Sequence, residues 1–443
     1  MIGAGIAGLA AAGLLANWFE RVVVLERDSL PAEPAPRWGT PQAWHGHGLL
    51  VGGQRALDEL FPGLGMDLTA AGALPLRVNG DVREERPDHG PMPQRDFGMT
   101  GYAMSRPLLE FTLRRRLERH RNVTIRADSR VVGIVTDVDG QRVTGARFMV
   151  QDEDRSETLS ADLVVDASGR GQPTMALLQS LGRPLPPEET IGIDLGYTTA
   201  ILPIPADAPS DWKLVLTHPR MPDSTRRAIL LPIEGNRWML TVAGRGHERP
   251  PGGWEGLLAC LRSLATPTIY RAVRDLAPSD RLMRFGFPGS SWRHFERLET
   301  FPDGLVPIGD AICHFNPVYG QGMSVAAKEA VLLNQVLGER ATEPDPLAGL
   351  GRVFLAAASR LVETPWSMAA IPDFACPGTR GERPADLDQS LAFFSALFRL
   401  AERDAAVQRL TVEVWHMLKP ISAYRDPELR ERVMAEMNEL AYA

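Results

Sequence analysis

Three glycines at the start of the chain constrain its fold more than any other feature. Gly3, Gly5 and Gly8 have the spacing G-x-G-x-x-G, and the apolar run at 21–25 ends at Glu26. In a Rossmann unit the first glycine permits a tight turn, the second admits a pyrophosphate, and the third lets the helix pack against the strand. A carboxylate at the position of Glu26 accepts hydrogen bonds from a ribose. The pattern therefore predicts a dinucleotide-binding unit.

The predicted unit lacks most of the strand that should come before its first glycine. Only Met1 and Ile2 precede Gly3, whereas the first strand of a Rossmann unit has about five residues. We therefore expect the true N-terminus to lie upstream of Met1.

A second glycine segment, far along the chain, complements the first. Residues 309–311 are Gly-Asp-Ala and follow a short apolar run, and residues 320–322 are Gly-Gln-Gly. Asp310 is suited to accept a hydrogen bond from a ribityl hydroxyl. A helix that begins near Met323 would place its N-terminus where it stabilises negative charge on a reduced flavin. Few folds need both segments, so together they indicate one flavin site.

Composition narrows the class of protein. The chain has 443 residues, of which 44% are hydrophobic and 23% charged, as in soluble globular enzymes. A net charge of −7 without a basic stripe argues against nucleic-acid binding. The three cysteines form no C-x-x-C pair, and no apolar run reaches the roughly 18 residues of a membrane-spanning helix. We expect a cytoplasmic protein without a transmembrane segment or a metal site.

Residue patterning predicts where the helices and strands lie. Ser105 is a plausible N-cap for a helix at 105–120, and Asp139-Gly140 predicts a hairpin between strands at 131–138 and 143–150. Further strands are expected at 162–166, 190–202, 212–217, 228–233, 238–242 and 305–308. Residues 346–443 are predicted to be mainly helical, with a break between Pro372 and Pro384.

Several motifs together give the chain a specific resemblance. They are Pro41-Gln42 with His45 and His47, Ser105-Arg106, Val-Asp-Ala-Ser-Gly-Arg-Gly at 165–171, the segment 309–311, and Phe-Asn-Pro-Val-Tyr-Gly-Gln-Gly-Met-Ser at 315–324. In these motifs the chain resembles the single-chain FAD-dependent monooxygenases with the para-hydroxybenzoate-hydroxylase-type fold, to about residue 345. Within that family it is most similar to the branch of the bacterial polyether epoxidases, which are themselves similar to squalene epoxidase.

The resemblance implies an α/β fold with three parts. A Rossmann-type FAD-binding domain would carry an inserted, mostly antiparallel β-sheet substrate domain and a helical C-terminal region. The implied boundaries are 1–175 for the first part of the FAD-binding domain, with some substrate-domain segments near 60–100, then 176–290 for the substrate domain, 291–345 for the second part of the FAD-binding domain, and 346–443 for the C-terminal region.

The resemblance also implies which residues surround the cofactor. The expected FAD-binding residues are Gly3, Gly5, Gly8, Glu26, Arg27, Arg37, Arg106, Gly309, Asp310, Gly320, Gly322 and Met323. Candidate pocket residues are Gln42, Tyr197, Phe315, Asn316 and Pro317, with Trp212 and Trp238 as further candidate walls. Each of these side chains could instead serve packing alone, and no catalytic side chain is identified because the chemistry is carried by the flavin.

The implied activity is transfer of one oxygen atom from a flavin C4a-hydroperoxide to a small, apolar organic substrate. Oxygen transfer to an alkene needs no side-chain base, whereas phenol hydroxylation benefits from one. Epoxidation in secondary metabolism is therefore the leading hypothesis. The alternatives are an aromatic or polyketide hydroxylase, a flavin-dependent isoprenoid reductase, and a flavin-binding protein without turnover.

The electron donor is left open by one departure from the family pattern. Ser168 stands where the family usually has aspartate, in a motif that serves both FAD and NAD(P)H. Either NAD(P)H or a separate flavin reductase would then reduce the FAD. The Trp-x-Trp-x-Ile-Pro motif of flavin-dependent halogenases is missing from the sequence.

Overall fold

The structure, a computed structural model, describes residues 1–87, 90–150 and 155–441. Three short stretches of the predicted domains lie outside the described residues. They are residues 88–89 in the segment near 60–100, residues 151–154 in the first FAD-binding segment, and residues 442–443 in the C-terminal region.

Twelve α-helices lie within the described residues. They are α1 Ile6–Leu15, α2 Val51–Leu60, α3 Leu64–Ala70, α4 Arg106–Leu117, α5 Gln172–Ser180, α6 Trp254–Arg262, α7 Thr268–Val273, α8 Gly322–Arg340, α9 Leu350–Phe374, α10 Leu387–Arg403, α11 Ala405–Trp415 and α12 Pro427–Ala441. No helix in this part of the chain combines the length and the apolar character that crossing a membrane would require.

The same residues form seventeen strands. They are β1 Val22–Leu25, β2 Leu74–Arg77, β3 Val82–Arg86, β4 Gly90–Pro91, β5 Thr100–Ala103, β6 Val123–Arg126, β7 Ser129–Thr136, β8 Val143–Val150, β9 Ser156–Ser160, β10 Val164–Asp166, β11 Glu188–Pro203, β12 Leu214–Thr217, β13 Arg227–Ile233, β14 Arg237–Arg245, β15 Met283–Arg293, β16 Leu305–Pro307 and β17 Cys313–His314.

A parallel sheet positions the first glycine cluster. Strands β6 and β1 pair in parallel, as do β10 and β16, and Ile2 bridges the two pairs through Leu25 and Asp166. All four residues of β1 are buried, as expected for a strand that is covered on both faces. Gly3 directly follows the bridge at Ile2, so the glycine cluster lies at the edge of this sheet where β1 and β10 end.

The second sheet has eight strands and contains the mostly antiparallel strands that the sequence predicts between 190 and 242. Its strand order is β17-β15-β11-β14-β13-β12-β3-β4, and all of its pairings are antiparallel except that of β12 with β3. Helices α6 and α7 pack on one face, where Trp212 and Trp238 stack with ring centroids 6.0 Å apart. These two tryptophans therefore belong to the core behind the sheet, which favours packing over the predicted role as pocket walls.

Small residues bring the helices of the first domain close together. Ala10, Ala11 and Ala12 of α1 are fully buried. A Cβ on Gly13 would lie 2.4 Å from the ring of Phe61, so this glycine permits the contact between α1 and the end of α2. Close packing of α1 fixes its N-terminus relative to the parallel sheet.

Local sequence signals account for two of the element boundaries. The hydroxyl of Ser105 accepts a hydrogen bond from the Leu108 N–H, which confirms the predicted N-cap of α4. Gly140 has φ +64°, so the Asp-Gly turn between β7 and β8 is also confirmed. The predicted helix break is wrong at its start, because α9 continues through Pro372 to Phe374.

Candidate functional site

The two glycine segments, 306 positions apart in sequence, meet in the structure. A Cβ on Gly309 would lie 2.9 Å from the Cβ of Ala7 in α1 and 3.7 Å from that of Ala326 in α8. Gly309, with φ +69°, therefore packs in a place where only glycine fits. Its N–H donates to the carboxyl of Glu329 at 2.6 Å. The N-termini of α1 and α8 are thus held beside each other.

In the first glycine cluster, Gly3 and Gly8 are closely packed, whereas Gly5 borders open space. A Cβ on Gly8 would lie 2.0 Å from the carbonyl oxygen of Gly3, and one on Gly3 would lie 2.6 Å from that of Ala167. A Cβ on Gly5 would meet only Arg106, whose Nη2 is 4.0 Å away. Among the described residues, no side chain caps the N-terminus of α1 at Gly5. Free N–H groups, open space and a guanidinium at one place fit a bound pyrophosphate.

Glu26 lies at the end of β1, as the fingerprint predicts. Its carboxylate accepts hydrogen bonds from the N–H groups of Ala4 at 2.7 Å and Asp28 at 3.0 Å. Carboxylate oxygens have further lone pairs, so this position also fits a ribose hydroxyl.

The structure places Arg37 in a buried ion-pair network. Its Nη1 lies 3.1 Å from Glu26 and 3.0 Å from Asp28, and its Nη2 lies 3.0 Å from Glu110. Nη2 also donates to the carbonyl of Ala4. These contacts favour a structural role for Arg37 over the predicted contact with the FAD phosphates.

Arg27, by contrast, is largely exposed at the rim of this region. Its guanidinium donates to the carbonyl of Gly39 at 3.3 Å and lies 3.8 Å from Asp28. Its part in FAD binding remains a prediction.

Arg106 is held at the start of α4 by a histidine and a glutamate. Its Nη1 lies 3.4 Å from the Nε2 of His47, and its Nε lies 3.4 Å from Glu110. Burial and the Arg106 charge lower the pKa of His47 to about 3. The imidazole is therefore neutral at pH 7, with Nδ1–H donating to the His45 carbonyl and Nε2 accepting from Arg106.

Asp310 has the electrostatics of an ionised acceptor. Burial alone would raise the pKa of its carboxyl, but His314, Arg106 and Arg170 together lower it below the ordinary value. The Nδ1 of His314 lies 3.0 Å from Oδ2. The other oxygen, Oδ1, would lie 3.8 Å from a Cβ on Gly322, the first residue of α8. This geometry suits a carboxylate that accepts a hydrogen bond from a ribityl hydroxyl.

The loop before α8 passes close to the segment that carries the two histidines. Gly320 has φ +68°, and a Cβ there would lie 3.6 Å from the Cα of Gly48. No side chain in the described part of the chain caps the N-terminus of α8, and Met323 is buried in its first turn. The N-terminal N–H groups of α8 can therefore stabilise negative charge on a ring bound beside this loop.

The candidate pocket residues do not all face one space. Gln42 is half-buried in a 3₁₀ turn, and Pro317 starts another such turn. Tyr197 lies on the sheet with its ring centroid 5.7 Å from His45 and 6.1 Å from Phe285. His45 turns to this face, where its Nδ1 lies 2.8 Å from the hydroxyl of Thr199.

Phe315 is buried in the main hydrophobic core. Its ring centroid lies 6.4 Å from that of Trp366 in α9. This placement favours packing over the predicted role as a pocket wall.

A buried polar cluster, which sequence reasoning missed, joins α9 to the loop before α8. Asp373 is fully buried and accepts hydrogen bonds from Asn316 Nδ2 at 2.9 Å and from the hydroxyl of Tyr319 at 2.8 Å. Arg245 of β14 pairs with the same carboxylate at 2.5 Å. Arg227 of β13 lies over the Tyr319 ring, 5.5 Å from its centroid.

Burial dominates the electrostatics of this cluster. It raises the pKa of Asp373, although Arg245 and the hydrogen bonds from Tyr319 and Asn316 oppose the shift. Burial, together with the Asp373 charge, also raises the pKa of Tyr319 well above its ordinary value. Two sequence signals pointed to members of this cluster: Asn316 is one of the predicted pocket residues, and Arg227 is a charged residue beside an apolar run. Among the described residues no group of three His, Cys, Asp or Glu side chains is placed to hold a metal ion.

Comparison with known proteins finds one close relative by sequence. No protein-family model matches the chain. The chain is 35% identical over 398 residues to Protein Rv3254 of Mycobacterium tuberculosis, an alignment that covers 84% of this chain and 79% of that protein.

Solved structures of similar fold include flavin-dependent proteins. They are a flavoprotein/dehydrogenase from Cytophaga hutchinsonii (TM-score 0.71, 15% identity, 99% of this chain and 98% of that one), the flavin-dependent brominase Bmp2 (0.68, 16%, 100% and 97%), and PqsL of Pseudomonas aeruginosa, a probable FAD-dependent monooxygenase (0.56, 18%, 82% and 94%). The chain has the mixed α/β fold of FAD-dependent monooxygenases and halogenases, and at these identities the likeness concerns the fold alone.

Proposed function

The chain belongs to the family of Protein Rv3254, and we propose that it is an FAD-dependent monooxygenase. The observation that carries this proposal is the meeting of the two glycine segments. Gly309 packs against Ala7, so the open position at Gly5 and the carboxylate of Asp310 belong to one site. A Rossmann unit alone would account for the first segment but not for the second.

The residues present fit FAD along the whole site. Glu26 would hold the ribose, Gly5 and Arg106 the pyrophosphate, and Asp310 a ribityl hydroxyl. Neutral His47 holds Arg106 without competing for the negative charge of the phosphates. The N-terminus of α8 would stabilise negative charge on the flavin ring. Reduced FAD supplies the activation of O₂, from which one oxygen atom enters the substrate and the other leaves as water.

Two kinds of oxygen acceptor are proposed. Epoxidation of an alkene in secondary metabolism follows from the motif resemblance and needs no side-chain base. Hydroxylation of an aromatic or polyketide substrate is the second candidate, and the buried Tyr197, Tyr319, Arg227 and Asp373 favour it. These groups can hold or move a proton at a substrate hydroxyl, whereas an alkene makes no use of them.

The test is a labelling experiment with the purified, FAD-loaded protein. The protein is supplied with ¹⁸O₂, with NADH, NADPH or a flavin reductase as electron donor, and with a panel of alkenes and phenols. We expect substrate-stimulated oxygen consumption and a product that contains one ¹⁸O atom. A labelled epoxide or diol identifies an epoxidase, and a labelled phenol identifies a hydroxylase.

Other products would contradict the proposal. Saturation of a double bond without label would indicate a flavin-dependent reductase, and halide incorporation would indicate a halogenase. Bound FAD without substrate-stimulated oxygen consumption across the panel would indicate a flavin-binding protein without turnover.

A further inference from the structure

One rung of the large sheet places an arginine and a tyrosine on the same face. Tyr197 of β11 pairs with Ala243 of β14, Ala243 pairs with Arg227 of β13, and Tyr197 also pairs with Phe285 of β15. Directly paired residues point to the same side of a sheet. Two strand spacings separate the backbones of Tyr197 and Arg227 by about 10 Å. Ala243 contributes only a methyl group to the surface between them.

Arg227 is a buried cation without a counterion of its own. It is 8% exposed, and no hydrogen bond or ion pair of its guanidinium is found among the described residues, where Nη2 is buried without a partner. The nearby carboxylate of Asp373 already pairs with Arg245 and accepts hydrogen bonds from Asn316 and Tyr319. The guanidinium groups of Arg227 and Arg245 thus have only the carboxylate of Asp373 between them, and one buried positive charge is left uncompensated.

Contact with an aromatic ring does not remove this imbalance. The Tyr319 ring, 5.5 Å from Arg227, offsets only part of the cost of taking a guanidinium out of water. Burial therefore dominates and lowers the pKa of Arg227. A second nearby acid, Glu84, is paired with Arg86 and His218 and is not available either.

The hydroxyl of Tyr197, on the same rung, is a second group without a partner. Tyr197 is 6% exposed, and its buried oxygen has no hydrogen-bond partner within the residues that the structure describes. A buried hydroxyl without a partner costs free energy that a ligand acceptor would recover. One donor and one cation thus lie on the same sheet face, close to the loop that precedes α8.

Aromatic rings line this face of the sheet on the flavin side. The rings of Tyr197, Phe285 and His45 lie within 6.1 Å of one another by centroid. Along the same strand, Phe287 lies 5.0 Å from His314, which contacts Asp310. The face therefore extends from the ribityl-binding carboxylate to Arg227, and its walls suit a flat, unsaturated molecule.

We propose that Arg227 and Tyr197 form a subsite for an ionised oxygen of the substrate, a carboxylate or a phenolate on a flat, unsaturated body. The proposal rests on the monooxygenase function and narrows its substrate class. The anion supplies the charge that Arg227 lacks and accepts a hydrogen bond from Tyr197. The bound molecule then has its acidic end fixed on the sheet and its unsaturated part directed toward the flavin loop.

The test compares matched anionic and neutral probes on the FAD-loaded protein. Equilibrium dialysis measures dissociation constants for benzoate against benzamide, and for 4-nitrophenolate against 4-nitroanisole. The first pair tests a carboxylate and the second a phenolate. We expect at least one anion to bind about tenfold more tightly than its neutral partner, or about 1.4 kcal/mol.

Substitutions test whether the tighter binding of the anion arises at the subsite formed by Arg227 and Tyr197. Arg227→Gln should abolish the preference, Arg227→Lys should retain part of it, and Tyr197→Phe should reduce it severalfold. The matched control is Arg284→Gln. Arg284 pairs with Thr198 on the adjacent strands, so it belongs to a neighbouring rung on the opposite face, and it is exposed. The control should leave the preference unchanged.

The outcomes separate this inference from the function on which it rests. Failure of the wild-type protein to bind FAD, measured by flavin absorbance before dialysis, would count against the monooxygenase function. With FAD bound, the subsite is overturned if neither anion binds more tightly than its neutral partner. It is also overturned if the anion preference survives in Arg227→Gln.

Discussion

At the residue scale, two glycines of the first cluster have opposite surroundings. Gly8 is enclosed, because a Cβ would lie 2.0 Å from the carbonyl oxygen of Gly3. Gly5 is open, and its extended backbone, with φ −76°, also suits alanine. Packing therefore explains Gly8, whereas no contact within residues 1–87, 90–150 and 155–441 requires glycine at position 5. A bound phosphate would require it.

This contrast predicts different effects for two alanine substitutions. Gly8→Ala should destabilise the protein by about 3 kcal/mol or more, because backbone atoms must move apart. Gly5→Ala should change the free energy of unfolding of the FAD-free protein by less than about 1 kcal/mol. It should nevertheless weaken FAD binding by about tenfold or more. Chemical denaturation and FAD titration measure the two quantities, and unchanged FAD affinity in Gly5→Ala would place the phosphate elsewhere.

Asp310 should be required for FAD retention and not for folding. Among the described residues, only the side chain of His314 forms a hydrogen bond with its carboxylate. Loss of a hydrogen bond to a charged group costs about 1.5–3 kcal/mol, so Asp310→Ala should weaken FAD binding by about 10- to 100-fold. Flavin content after gel filtration measures the loss, and circular dichroism checks the fold. The exposed Asp280→Ala is the matched control. Full flavin occupancy in Asp310→Ala would refute the ribityl role.

At the element scale, helix α8 holds Gly309 of the site in place through the buried carboxyl group of Glu329. Glu329 is fully buried and accepts the Gly309 N–H through one oxygen, while its Oε1 has no partner among the residues described. Burial and, to a lesser extent, Asp310 raise the pKa of Glu329 from 4.5 to about 8. At pH 7 the group is therefore protonated in the folded protein.

The raised pKa of Glu329 gives a pH dependence with a definite sign. As the pH rises from 4.5 to about 8, the unfolded chain ionises this group and the folded chain does not, so its contribution destabilises the protein progressively. Glu329→Gln keeps the acceptor for Gly309 and removes the ionisation. Its free energy of unfolding relative to wild type should rise over this window, by about 2–5 kcal/mol in total.

Urea denaturation at several pH values measures this effect. Glu339→Gln, an exposed change on the same helix, serves as the control and should lack the trend. A pH-independent difference between Glu329→Gln and wild type would contradict the buried, protonated state.

Helix α9 illustrates what patterning could not predict. Pro372 suggested the end of a helix, because proline lacks the N–H that an interior turn needs. The helix nevertheless continues to Phe374, and this continuation brings Asp373 against Asn316 and Tyr319. Asp373 and Asn316 are 57 positions apart, and no periodicity in either segment links them. Their contact depends on how α9 packs against the rest of the molecule.

At the scale of the whole molecule, the architecture was predictable and the charge balance was not. Glycine spacing, the Asp139-Gly140 turn and the apolar runs predicted the dinucleotide-binding unit, the hairpin and the strands between 190 and 242, and the family resemblance implied that these strands form an inserted sheet. These are local signals, and the chain follows them. The uncompensated charge of Arg227 is different, because it depends on which of two arginines on separate strands pairs with one aspartate on α9. Single-sequence patterning contains no such information.

A crystal structure of the protein with FAD bound tests the central claim most directly. We predict the pyrophosphate against the N–H groups that follow Gly5 and within reach of Arg106, a ribityl hydroxyl on Asp310, and the flavin ring beside the 316–322 loop. FAD held elsewhere, or held by only one of the two glycine segments, would contradict the account.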